Sequence, residues 1–170
     1  MITQQEMTAY YADIAPRLMR FLLANGCPHD KASDITQESF IRIWNKRDEL
    51  GPDDSVSGLV FRIAQNLRID EFRRSSREQL VDEYDDSNVP TVTDDNELPQ
   101  DKEYVRRCIR KAVSDLPEEF RVCYTMLNLG GMSIKEISQQ LGISESLVKV
   151  RIHRAKEKLR TALEPLRENF

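Results

Sequence analysis

Ser133 to Leu163, SIKEISQQLGISESLVKVRIHRAKEKLRTAL, holds the pattern that decides the fold. Ile134, Ile137 and Leu141 recur at three- and four-residue spacing, which predicts a short amphipathic helix. Gly142 supplies the backbone freedom that a tight interhelical turn needs, and Ser144 is a good N-cap for a second helix. Val148, Ile152, Ala155, Leu159 and Leu163 form one apolar stripe on that helix. At about 100° per residue, the opposite side carries Ser146, Val150, His153, Arg154 and Glu157, flanked by Lys149, Lys156 and Lys158. Two helices around a glycine turn, the second with a basic outer face, make a helix-turn-helix whose second helix fits a major groove. An isolated basic helix reads equally well as a solvated surface. The preceding helix, the turn and the cap favour DNA contact.

Charge is concentrated in this stretch. From Glu145 to Arg160 six Lys or Arg stand against two Glu, in a chain whose formal net charge is −4. Residues 1–78 hold eleven basic and twelve acidic side chains, 79–101 none and eight, and 102–170 fourteen and nine. An acidic total spread evenly would argue against nucleic acid; here it is not spread evenly.

The segment 79–101, QLVDEYDDSNVPTVTDDNELPQD, has two prolines, many Asp and Asn and no sustained period, which predicts a linker between two small domains. Its acidity serves solubility or competes with DNA phosphates for neighbouring basic surfaces. Before it, Tyr11, Ile14, Leu18, Phe21 and Leu22 predict a helix ending near Asn25 and Gly26. Asp30 is expected to cap a second helix reaching about Lys46, with Ala32, Ile35, Ser39 and Ile43 on one side. After a loop at Gly51 to Asp54, Val56, Leu59, Val60, Ile63, Ala64 and Leu67 form the cleanest stripe in the chain. Arg68, Ile69 and Asp70 break that stripe, and a short basic helix, DEFRRSSR, is expected from Asp70. Beyond the linker, Val105, Cys108, Ile109 and Ala112 predict a helix, and Pro117 opens another that runs to Gly130 and Gly131. No segment alternates polar and apolar residues, so the fold class is all-α.

Several function classes are excluded at this level. Cys27, Cys108 and Cys123 are odd in number and far apart, which predicts buried or half-buried thiols rather than a disulfide framework or a metal cluster. No phosphate-binding glycine loop, nucleophile and base pairing or metal-ligand spacing occurs, so no catalytic residue, metal or cofactor is expected. The start MITQQEMTAYYADIAPR lacks the regions of a signal peptide and no run of eighteen apolar residues exists, which predicts a cytoplasmic protein without membrane insertion.

Three ordered motifs carry a family resemblance. DKASDITQESFIRIW, GLVFRIAQNLRIDEFRR and LPEEFRVCYTMLNLGGMSIKEISQQLGISESLVKVRIHRAKEKL resemble, in that order, the polymerase-binding helix, the promoter-melting segment and the upstream-element domain of extracytoplasmic-function sigma factors, bacterial members of the sigma-70 family. The resemblance covers nearly the whole chain. It implies sigma domain 2 at 1–78, a flexible acidic linker at 79–101 and sigma domain 4 at 102–170. It also implies a subunit that is a monomer when free, binds core RNA polymerase through the clamp helices of the largest subunit and through the flap, and directs it to promoter DNA. An anti-sigma factor, which can hold such a protein near the membrane, is the implied controller.

The residues have readings beside that name. Asp34, Gln37, Glu38 and Ile41 share a helix face away from the apolar stripe, with Phe40 and Trp44 nearby, a mixture better suited to a partner than to water. By resemblance Asp34, Gln37, Glu38, Ile41 and Trp44 contact core polymerase, while Phe40 or Trp44 can instead pack internally. Arg62, Gln65 and Asn66 are expected on the exposed side of the third helix, and Arg73, Arg74 and Arg77 add positive charge suited to phosphates. Asn66 reads either as a helix C-cap or, by resemblance, as part of a pocket for a base flipped from the minus-ten element; Arg62, Arg68, Asp70, Arg73 and Arg74 complete that implied site. For the minus-thirty-five element the matching positions are Ser146, Lys149, Val150, His153 and Arg154. Arg154 can pair with guanine or grip phosphate, Val150 suits a thymine methyl, and His153 reads as a neutral bonding or stacking residue. The rival reading is a stand-alone helix-turn-helix regulator, expected to bind paired half-sites as a dimer without polymerase.

Overall fold

The computed structural model describes residues 2–78 and 100–167. Those residues form helices and turns only, in two compact units, each described by itself. The first is built on α1 (Gln4–Ala24), α2 (His29–Asn45) and α3 (Val56–Glu78), with a single 3-10 turn at Arg47–Glu49. The second contains α4 (Gln100–Ser114), α5 (Glu118–Asn128), α6 (Ile134–Leu141) and α7 (Glu145–Arg167). The expected linker lies outside the described residues except for Gln100 and Asp101, which already belong to α4.

In the first unit α1 buries Ile14, Leu18, Phe21 and Leu22, the stripe read from the sequence. Phe21 meets Phe61 of α3 edge-on, ring centroids 5.7 Å apart. α2 buries Ala32, Ile35, Ser39 and Ile43 and packs along α3. Its buried Ser39 and Thr36 hydroxyls donate to the carbonyls of Ile35 and Ala32 one turn back, so neither is left unpaired in the core. Asp30 is not the cap of α2: the helix starts at His29, Pro28 holds the N-cap position without a side-chain bond, and Asp30 stands in the first turn. There its carboxylate faces the positive end of the helix dipole.

The expected break in the third helix is absent. α3 runs unbroken from Val56 to Glu78, so Asp70 begins no separate helix. Continuity keeps Phe61, Ala64 and Arg68 at the helical repeat of one face, and all three are buried. A buried guanidinium needs partners. Arg68 Nε donates to Gln65 Oε1 at 3.1 Å, and Gln65 is itself buried rather than exposed as the sequence suggested. Glu71 receives Lys31 Nζ of α2 at 3.1 Å and lies 4.0 Å from Arg74 Nη1, which fixes the start of α2 on α3.

The second unit rests on α7. Ala112 and Leu116 pack with Ala155 and Leu159, with Val113, Phe120, Tyr124 and Leu163 around them. α5 and α6 also lie on α7, closing over Val148 and Ile152. Pro117 is the N-cap of α5 rather than its first residue, a shift of one position.

Candidate functional sites

The turn between α6 and α7 is built from local rules that agree. Ser133 Oγ accepts the Glu136 amide at 3.1 Å while Glu136 Oε1 accepts the Ser133 amide at 3.4 Å, a reciprocal capping box. Gly142 ends α6 in the left-handed region at φ 66°, where an L side chain is strained. Ser144 then caps α7, its Oγ accepting the Leu147 amide at 3.1 Å.

With Val148, Ile152, Ala155 and Leu159 turned inward, the other side of α7 is presented outward. Ser146, Lys149, Val150, His153 and Arg154 are all exposed, Val150 at 50%, and they stand on adjoining positions of the first two and a half turns. His153 Nε2 lies 3.0 Å from Glu157 Oε1, which orients its ring along the helix. Arg151 is used differently. It points toward α5, with Nη2 3.6 Å from Glu119 Oε2 and a hydrogen bond to the Cys123 thiol. An exposed face with an apolar valine, amphoteric groups and outward cations can read base edges in a groove and grip phosphates.

On α3 the structure separates the six residues assigned by resemblance to the minus-ten element. Arg62, Asn66, Asp70, Arg73 and Arg74 are exposed, and Asp70, Arg73, Arg74 and Arg77 line one open cleft. Arg68 is buried with Gln65 and points away from that surface, because the helix does not break where the sequence suggested. Asn66 stands in mid-helix, so its reading as a C-cap is corrected. Phe72, which the sequence reading passed over, is exposed at 68% beside the arginines. Its residue type carried no signal of exposure.

On α2, Asp34, Gln37, Glu38 and Ile41 lie on one exposed side, Ile41 at 53%. Glu38 is paired with Arg42, Oε1 accepting Nε at 2.9 Å. Phe40 packs inward, edge-on to Tyr11 at 4.8 Å between centroids. Trp44 is half-buried under the Arg47 guanidinium, 4.0 Å above its ring, and the same arginine donates to the Trp44 carbonyl at 2.8 Å. A lone exposed isoleucine among carboxylates and amides is a contact surface of mixed polarity.

Two family models match these units: "Sigma-70 region 2" over residues 8–78 and "Sigma-70, region 4" over residues 106–159. The chain is 34% identical over 166 residues to the ECF RNA polymerase sigma factor SigE of Mycolicibacterium smegmatis, a match that covers 93% of this chain and 60% of SigE. It is 30% identical over 161 residues to SigL of Mycobacterium tuberculosis, covering 94% of this chain and 90% of SigL. The chain belongs to the ECF sigma factors of the sigma-70 family. The fold of this sigma factor is also that of RpoE from Bartonella quintana, solved with the anti-sigma factor NepR, at a TM-score of 0.77 with 22% identity, covering 94% of this chain and 98% of that one. An alternative sigma factor is a transcription initiation subunit, and the stand-alone regulator reading gives way to it. No helix among the described residues of this sigma factor is long and apolar enough to cross a membrane.

Proposed function

We propose that this sigma factor works as a cytoplasmic binding subunit without chemistry of its own, a monomer until it joins core RNA polymerase. The α2 side bearing Asp34, Gln37, Glu38, Ile41 and Trp44 docks on the clamp helices of the largest subunit, and the second unit engages the flap. The exposed side of α3, from Arg62 and Asn66 to Asp70, Arg73 and Arg74, takes the unpaired strand of the minus-ten element. α7 enters the major groove at the minus-thirty-five element through Ser146, Lys149, Val150, His153 and Arg154. An anti-sigma factor covers the polymerase-binding surfaces of the free protein.

The observation that carries this reading is the face of α7, five side chains exposed together behind a capped, left-handed glycine turn. Arg154→Ala tests it in a purified transcription system assembled with core polymerase. A bidentate arginine–guanine pair is worth about 1–3 kcal/mol, so promoter output falls roughly ten- to a hundredfold while association with core stays unchanged. Equal output from wild type and variant would sink the assignment.

A further inference from the structure

Phe72 is the most exposed large apolar side chain among the described residues, at 68%. It belongs to α3, and the unbroken course of that helix decides what it can do. Six residues separate it from Asn66, which places it about 9 Å further along the same rod and about 120° around it. Its own turn is fastened from the inside. Arg68, one turn back, is buried against Gln65, and Glu71, the adjoining residue, is held by Lys31 of α2 at 3.1 Å. The aromatic ring therefore projects from a turn whose neighbours are anchored. Around the helix from it run Arg73, Arg74 and Arg77, which with Asp70 line an open cleft.

A cationic track with an aromatic ring at its edge is the general construction for holding single-stranded nucleic acid, in which arginines follow the phosphates and unstacked bases lie on the ring. A duplex offers no base face to such a ring, so the feature has a use only where strands are parted. We infer that Phe72 is a stacking platform for an unpaired base of melted promoter DNA, downstream along α3 from the Asn66 position. The inference rests on the promoter-opening role proposed above and adds a contact that does not depend on which base is present, since every base has a π-face.

The test uses holoenzyme assembled from the full chain and core polymerase. The probe is a fork-junction DNA whose non-template strand is single-stranded across the minus-ten element, taken from a start site that the wild-type holoenzyme transcribes. Phe72→Ala weakens fork binding about tenfold, and Phe72→Trp stays within about threefold of wild type. A series of forks, each with one abasic nucleotide, then contains one position at which the missing base weakens wild type but not Phe72→Ala. Unchanged fork binding by Phe72→Ala would overturn the proposal, and so would a loss shared equally by a fully duplex probe. A loss of affinity for core polymerase in Phe72→Ala would assign the ring to a protein contact instead and overturn it as well. Should wild-type holoenzyme transcribe from no promoter, the sigma-factor roles proposed above fail first and this inference with them.

Discussion

Cys27 and Cys123 occupy matching situations in their separate units, each a buried thiol beside an arginine. For Cys27, burial pushes the thiol above its ordinary range, while Arg68 pulls it down and Glu71 adds to the rise. For Cys123, burial again dominates, opposed by the charge and hydrogen bond of Arg151 and reinforced by Glu119. Desolvation of a thiolate outweighs one nearby cation in both places. Both thiols therefore hold their protons longer in the folded chain than in the unfolded one, where a cysteine ionises at about 8.5. Their contribution to stability is complete below that pH and is lost as pH rises from there through the folded values. Thermal unfolding followed from pH 7 to 10 should decline less steeply in Cys123→Ala than in wild type; parallel declines would remove this thiol from the balance. Reactivity gives a second readout. Cys108 is half-exposed and should react first with a thiol reagent, while Cys27 and Cys123 should react only as the protein unfolds.

Helices show what a sequence pattern can and cannot reveal. Ser133, Gly142 and Ser144 were legible because cap and turn rules act on neighbours a few residues away, and the five outward residues of α7 followed from one buried stripe opposite them. The unbroken α3 was not legible. Periodicity counts apolar residues, and a buried arginine satisfied by Gln65 looks like an interruption when its partner's geometry is unseen. Asp30 misled for a related reason, since residue type suggests a cap but the backbone at Pro28 decides where the helix starts. Phe72 shows the same gap at the site, because burial depends on what lies opposite in space. The turn into α7 can be probed by stability. Ser133→Ala removes the side-chain half of the capping box and should cost about 1 kcal/mol. At Gly142 an added Cβ meets nothing within 4 Å, so Gly142→Ala is penalised by its left-handed backbone alone. That cost is about 1–2 kcal/mol, and Gly142→Asn should lose less. Urea denaturation of the full chain checks both, and a neutral Gly142→Ala would mean that the turn relaxes to another conformation.

At the scale of the molecule, the charge map poses a physical problem for a DNA-binding chain. Residues 102–170 carry an excess of five positive charges, 79–101 carry eight acidic residues without a basic one, and the total is −4. A field summed over the whole chain opposes approach to any duplex, while a local basic face favours it at contact range. Ionic strength separates the two, since screening acts over about 30 Å at 0.01 M salt but about 10 Å at 0.1 M. Replacing the eight acidic residues of 79–101 by their amides changes the net charge from −4 to +4 without altering any residue of α2, α3 or α7 assigned to a contact. If the acidic stretch restrains the free protein from settling on arbitrary DNA, the amide variant should bind a random duplex at least tenfold more tightly at about 0.01 M salt. Fluorescence anisotropy with a labelled duplex measures this. The advantage should shrink steeply by about 0.2 M, because counterion release makes non-specific affinity fall with salt in proportion to the phosphates engaged. An advantage that persisted unchanged at the higher salt would point to acidic side chains lying in contact with the basic face rather than to a field. Equal binding by wild type and variant at low salt would leave solubility as the role of the acidic stretch.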